Sequence, residues 1–374
     1  MHSDLAPEPC LERLENLVDV DHVLAAEARQ AAAWEYRPVD RRTTIITCRD
    51  DWRHVQHDWP PGWPQIPYGE AFRDPIRMLV TELWRAYEGA LLKDDRAYTI
   101  RPNYGLVIIP SILGCEHEQR GNEMPWTVPL PDRDAVQAMI QRGMPDLNHG
   151  LGRQVWETEA YFIETLACYP RLKQAVRVGC PDPQGPFNLA SSIVGTDLFL
   201  AVIECPDLVR QLLGFLTEVY IAFMRRHKAI TGEPEGIGYT FSYRYKGSAR
   251  IVDDSAVMLS GAMYQEFCMP YNAQIAQALD GALGHFCGKG NQLFEAFAST
   301  PGIYAINFGN PEMQDLATRY EVAARHKVCL LWDGALPQGC DHITTGIIHK
   351  RIAKSWAEAE VIARELYTYR RESR

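Results

Sequence analysis

The feature that most constrains this chain is a sustained alternation of short apolar runs with helix-forming stretches, beginning near residue 104. Runs at Leu106–Ile109, 175–180, Gly236–Tyr243, Ala282–Phe286, Ile303–Phe308 and Val328–Trp332 read as strands, with a last one within Ile343–Ile352. Helical patterns lie between them. Asp132 caps a helix that Gly143 ends, and a second runs from Gly152 to Ala167. Pro206-Asp207 opens a third, with Leu208, Leu212, Leu216, Val219 and Phe223 on one stripe, and a fourth spans Met263–Leu279. Asn310-Pro311 starts another, and Ser355 to Glu358 forms a capping box for the last. Such alternation predicts an α/β protein with a parallel sheet. Periodicity does not separate a closed barrel from an open sheet. No glycine-rich phosphate loop follows the first strand, which argues against a dinucleotide-binding sheet.

The first hundred residues have a different texture. Residues 18–35 are alanine-rich and helical, and Asp74-Pro75 is an N-cap followed by proline at the first helical position. Asp51–Glu70 holds three Trp and four Pro and reads as a loop that packs on something, a lid or a subunit contact. The expected organisation is an N-terminal helical extension over 1–100 and one α/β unit over 101–374.

The 374 residues carry a net charge of −10, which disfavours a nucleic-acid or anionic-membrane partner because both require a basic field. A locally basic pocket for a small anionic substrate remains compatible with that charge. The N-terminus lacks the basic and apolar regions of a signal peptide, and the ten cysteines are scattered rather than framed. A reducing cytoplasm is expected. The richest apolar stretch, Leu189–Ile203, is broken by Gly195 and Asp197, so no membrane span is expected.

His285-Phe286-Cys287-Gly288 is the sharpest chemical signal. Residues two apart on a strand point to one face, so imidazole and thiol converge at the strand's end. Both are zinc ligands, and a zinc with an open position is catalytic. A buried Cys beside a satisfied core His is the plainer reading of an isolated pair. Cys340 is the first choice for a third ligand, with His342 beside it, and Cys115-Glu116-His117 is a further cluster. Asp253 and Asp254 are candidates for acid-base work or for orienting substrate, although a turn cluster has the same look. Arg244, Lys246 and Arg250 form a basic stretch suited to substrate carboxylates or phosphate. Gln184 and Asn188 flank a Gly-Pro turn that opens a helix, where Asn188 can donate to a ligand.

Four motifs in order resemble the uroporphyrinogen decarboxylase superfamily, which includes cobalamin-linked methyltransferases. They are Asp182 to Phe187, Asp253-Asp254-Ser255 with Leu259-Ser260, Tyr264 to Phe267 leading to Pro270-Tyr271, and His285 to Gly288. The resemblance they carry covers roughly residues 100–370. The resemblance implies a (β/α)₈ TIM barrel with the pocket at its mouth. The arginine-rich N-terminal segment with which uroporphyrinogen decarboxylases hold porphyrinogen carboxylates is missing here, and the Trp/Pro loop stands in that region. The branch implied is therefore the methyltransferases, whose H-x-C-G motif and later Cys bind zinc. His285 and Cys287 match that motif, and no Cys lies beyond Cys340.

The expected activity is methyl transfer between a corrinoid, on a separate partner protein, and a thiol or other small acceptor activated by zinc. The alternatives are a metal-free decarboxylase and a barrel that binds a tetrapyrrole or corrinoid without turnover. A homodimer is expected by analogy with decarboxylases of the superfamily.

Overall fold

The structure, a computed structural model, describes residues 5–50, 55–56 and 58–372. Eight parallel strands form a (β/α)₈ barrel: β1 (Thr43–Thr47), β2 (Tyr98–Ile100), β3 (Val176–Val178), β4 (Ala249–Val252), β5 (Ala282–Phe286), β6 (Ile303–Phe308), β7 (Cys329–Asp333) and β8 (Ile347–Ile352). Six of them share one ladder in the order β1-β8-β7-β6-β5-β4, and β2 pairs with β3.

At the two remaining seams, side chains together with single main-chain bonds do what a ladder does elsewhere. Asp94-Asp95-Arg96 precedes β2. Asp95 N donates to Thr44 O at 3.0 Å, and the Asp95 carboxylate accepts from Thr44 N at 2.9 Å. Asp94 accepts from Ile46 N at 2.7 Å, and Arg96 donates to Ile46 O. Between β3 and β4, the Tyr220 hydroxyl donates to Arg250 O at 2.7 Å and accepts from Arg250 N at 3.0 Å. Gly185 N donates to Val252 O at 3.0 Å.

Alternation along the strands divides their side chains between shell and interior. Ile251, Phe286, Ile306, Phe308 and Leu330 face the helices. Ile45, Leu283, Ala305, Leu331 and Ile348 join Trp34, Tyr243 and Tyr245 in a separate apolar cluster inside the barrel. Two residues further along the same strands come Thr47, His285, Asn307, Asp333 and Lys350, all buried. The interior is thus apolar in its lower part and polar towards the C-terminal mouth, where barrel chemistry is done.

The strands at Ala282, Ile303, Val328 and 175–180 form as expected, as do the helices from Pro75, Arg133, Gly152 and Pro206. Leu106–Ile109 does not. Gly105, at φ +70°, opens a 3₁₀ turn, and a helix follows over Ile108–Ile112. Pro110 fits because its missing N–H falls in the helix's first turn. Gly236–Tyr243 is not a barrel strand either. It is one arm of an antiparallel hairpin, Ile237–Thr240 with Tyr243–Lys246, and the barrel strand is the next segment, β4. β1 and β2 lie within the segment expected as the extension, so the barrel begins before residue 101. Among the described residues, the connection from β7 to β8 holds no helix.

In the Trp/Pro loop, residues 51–54 and 57 lie outside the described residues. The rest of it packs on the barrel's flank. Trp63 stacks on Tyr87 with ring centroids 4.6 Å apart and donates to Val80 O at 2.9 Å. The stretch Pro186–Glu204 is apolar and long enough to cross a membrane, but half of it is buried in the shell. Gly195, at φ +72°, breaks it into two helices.

Two stability outcomes follow. Tyr220→Phe strands the Arg250 amide and carbonyl at a buried seam and should cost about 1–3 kcal/mol in urea unfolding. His227, fully buried, lies 2.7 Å from Glu159 and 3.6 Å from Glu233. Burial opposes its protonation, but the two carboxylates outweigh burial and raise it from 6.5 to about 10. Its stabilisation is therefore complete below 6.5 and is lost as pH rises through about 10. Urea midpoints of the wild type should fall across that interval more steeply than those of His227→Leu. Parallel slopes would show that His227 does not gain its proton on folding.

Candidate functional site

The mouth gathers residues from the ends of β2 to β6. His285 occupies the polar upper layer of β5 and is 1% exposed. Its Nδ1 meets Asn307 Oδ1, directly across on β6, at 2.9 Å. Asn307 Oδ1 is an acceptor, so Nδ1 carries the proton and Nε2 is left with a lone pair. Burial depresses the His285 pKa, which keeps the ring neutral.

Nε2 lies 3.5 Å from Cys287 Sγ and 3.4 Å from Asp254 Oδ1. The three donor atoms fall within 4.8 Å of one another. Asp254 is fixed by the Cys287 amide, which donates to its Oδ1 at 2.7 Å. Burial, then the adjacent Asp254 charge, pushes the Cys287 thiol up to about 12. The loop after the thiol is pinned by Asn310, which accepts from Gly288 N at 2.9 Å, and by Gln314, which donates to Gly288 O at 2.8 Å. Gly309 gives the sulfur its room: a Cβ there would sit 2.3 Å from Sγ.

This donor set suits a borderline-soft divalent metal: one neutral imidazole in a fixed tautomer, one thiol and one carboxylate. Cys340 is not part of it. It is buried in the apolar core after β7, and its carbonyl accepts from Arg42. His342 is exposed and bonds Gly339 O, while Glu116 and His117 are exposed beyond a different helix. The expected third ligand at Cys340 is therefore not brought to the pair; Asp254 is.

Asp253 and Asp254 part company, as neighbours at a strand end must. Asp253 turns into the shell, where it accepts from Asn272 at 2.6 Å and Tyr264 at 3.1 Å. Burial, with a smaller push from Asp254, raises it to about 6. Its Oδ1 has no hydrogen-bond partner and faces the backbone at Gly185.

Of the basic stretch, only Arg250 reaches the mouth. It donates to Asp182 at 2.7 Å, and Arg101 donates to the other oxygen of Asp182 at 3.2 Å. The two guanidiniums outweigh burial and hold the Asp182 carboxyl below its usual range. Gln184 donates to Asp182 and accepts from Asn188, whose Oδ1 in turn accepts from Ser255 N. Gln184 and Asn188 thus brace the site. Arg244 and Lys246 go elsewhere because they lie on the hairpin. Arg244 N bonds Gln30 on the helix Val20–Trp34, and Lys246 sits over Tyr304 at the start of β6, the opposite end of the barrel. Asp182, Arg101 and Asn307 were missed as site residues. Asp182 stood inside a quoted motif; the other two carry no local sequence signal.

No family model matches the chain. It is 24% identical over 216 residues to uroporphyrinogen decarboxylases of Xanthomonas campestris pv. campestris and Xanthomonas euvesicatoria pv. vesicatoria, an overlap of 54% of this chain and 54% of theirs. The chain therefore spans about half the length of these curated relatives. A methyltransferase from Methanosarcina mazei has a similar structure, with a TM-score of 0.63 and 18% identity, over 92% of this chain and 99% of that one. The chain is thus a distant sequence relative of uroporphyrinogen decarboxylase whose barrel fold is shared, over nearly all its length, with a methyltransferase.

Proposed function

We propose that this protein is a zinc-dependent methyltransferase in which Asp254, His285 and Cys287 hold the metal. The observation that carries the reading is the convergence of their three donor atoms within 4.8 Å, with His285 already in the tautomer a ligand needs. Zinc held there would supply Lewis acidity, enough to lower the pKa of an acceptor thiol and make it a nucleophile at neutral pH.

The chain's own residues prepare for that role. Asn307 holds the Nδ1 proton and aims Nε2 inward. Cys287 would hold the metal as its thiolate, the form of a cysteine that is a ligand. Asp254 contributes a negative charge already fixed by the Cys287 amide. The methyl donor is a small molecule or a corrinoid carried by a separate protein that docks over the mouth. All ten cysteines are unpaired, which suits a reducing compartment.

A metal-free decarboxylase is the second reading, favoured by the sequence likeness to uroporphyrinogen decarboxylases and by Arg101 and Arg250 at the mouth. Metal content separates the two. Protein purified without a metal column should carry near-stoichiometric zinc by elemental mass spectrometry. His285→Ala, Cys287→Ala and Asp254→Ala should lose it, and Cys340→Ala should keep it. A wild type that takes up no zinc under reducing conditions sinks the zinc mechanism and leaves the decarboxylase. Asn307→Ala, which frees the His285 ring, should weaken zinc affinity about 10–100-fold in a chelator competition; unchanged affinity would remove Asn307 from the site.

A further inference from the structure

Over the ends of β6, β7 and β8 lies a cavity of about 450 Å³ that the metal reading leaves unused. Its inner end adjoins the candidate site. Gly309, whose missing side chain makes room for the Cys287 sulfur, lines it. So does Gln314, which donates to Gly288 O at 2.8 Å and to Lys289 O at 3.0 Å. A molecule that fills the cavity therefore abuts the segment carrying the thiol.

The outer wall is the start of the β7–β8 connection, where Leu336 and Pro337 turn apolar surface to the cavity. This wall is held in place. Gly334 N donates to Lys350 O, and Gly334 O accepts from His349 Nε2, both at 2.7 Å. The Trp332 indole donates to Ala335 O at 3.1 Å. Further along, Cys340 and Ile343 are buried in the core, and Arg42 donates to Asp341 O and Ile343 O, both at 2.7 Å. A connection without a helix is thus tethered at both ends, and the cavity it borders is preformed.

The charges of the lining select the ligand. Its ionisable side chains are Glu312 and Asp333, and no Lys, Arg or His is among the described residues that line it. Asp333 lies 2.8 Å from Lys350 and accepts from the Tyr243 hydroxyl at 3.2 Å. Glu312 is exposed and accepts from Asn310 Nδ2 at 3.1 Å, and a carboxylate can accept further donors. Arg101 and Arg250 stand across the mouth, beside β2 and on β4, and both are bound to Asp182. The mouth therefore has a cationic side and an acidic side, with His285 and Cys287 between them. An anion brought to the acidic side gives up water and meets carboxylates, whereas an ammonium group meets acceptors.

We infer that this cavity binds a small apolar amine. Leu336, Pro337 and Trp332 take the hydrocarbon body, and Glu312 takes the ammonium group. This names the class of small molecule handled at the mouth. It rests on the proposed reading of the mouth as the active site, but not on zinc.

Titration calorimetry of the full chain as purified tests it, with phenethylamine, phenethyl alcohol and hydrocinnamate as probes. The amine should bind saturably, the alcohol more weakly, and the carboxylate at least about tenfold more weakly than the amine. Glu312→Gln should weaken amine binding about three- to tenfold and change alcohol binding less than about twofold, because only the amine loses a charge-assisted contact. Ala335→Trp, which adds bulk to the wall, should abolish binding of both. Both positions are exposed, so neither variant endangers the fold. Absence of saturable amine binding at millimolar concentrations overturns the assignment. So does a carboxylate that binds as well as the amine, or an amine affinity that either variant leaves unchanged. Zinc content measured on the same samples keeps the two readings apart: zinc without amine binding overturns this assignment alone, and amine binding without zinc supports it while the zinc mechanism falls.

Discussion

A parallel barrel has to satisfy the backbone of every strand edge, and here that requirement is met at two seams mainly by side chains. The charged run Asp94-Asp95-Arg96 supplies acceptors and a donor to the free edge of β1. Those groups are themselves buried and are balanced by Arg29 and Arg41 on Asp95, and by Glu88 on Arg96. A buried charge is tolerated when paired and hydrogen-bonded on all sides. The gain is geometric: β1 keeps its place beside β8, and β2 is free to be only three residues long. Arg101, immediately after β2, is thereby set at the mouth. The Tyr220 hydroxyl performs the corresponding service for β4 and holds the backbone of Arg250, the other arginine on Asp182. The two seams therefore position the two cations that meet at one carboxylate.

The site also depends on the layering of the interior. Leu283 and Ala305 fill the lower barrel, and one pleat higher the same faces of β5 and β6 present His285 and Asn307. Pairing across the ladder places the asparagine opposite the imidazole without help from any loop, and rigid strands hold a ligand more accurately than loops do. Asp254 is the exception. It sits just beyond β4, and the Cys287 amide, which donates to it, ties it to β5. Two of the three donors thus stand on or next to the same strand, and the third is tied to that strand by a backbone bond.

How much of this was legible in the sequence depends on scale. Ala282–Phe286 and Ile303–Phe308 announce themselves, being apolar runs of strand length bounded by Gly, Thr and Pro. β1 and β2 do not. Three of the five residues of Thr43–Thr47 are threonine, and the segment lies between an alanine-rich helix and a Trp/Pro loop; Tyr98–Ile100 is too short to show a period. Leu106–Ile109 shows the opposite error, since an apolar run of four residues is equally compatible with a buried helix turn. The His285/Cys287 convergence was readable from the two-residue strand period. The identity of the third donor was not, because the fold decides which side chain meets the pair, and neither the chemistry of Cys340 nor its place after a later strand reveals that it turns into the core. The cations of the mouth were hidden for a related reason. Arg244, Lys246 and Arg250 are neighbours in sequence, yet a tight hairpin sends two of them to the far end. Arg101, far from Arg250 in sequence, is brought to the same carboxylate by the fold.

Gly309 has a meaning that extends beyond this chain. It has no side chain to offer a ligand, yet any side chain there would occupy the space of the Cys287 sulfur. A lineage can lose its thiol and still tolerate glycine at this position, but it cannot acquire a methyl group there and keep the thiol where it now lies. In evolutionary terms the position acts as a ratchet: once glycine is replaced, recovery of the sulfur's place requires two coordinated changes rather than one. The residue at this position, silent in any list of ligands, would therefore help separate relatives that have room for a sulfur-bearing mouth from those in which that room has closed.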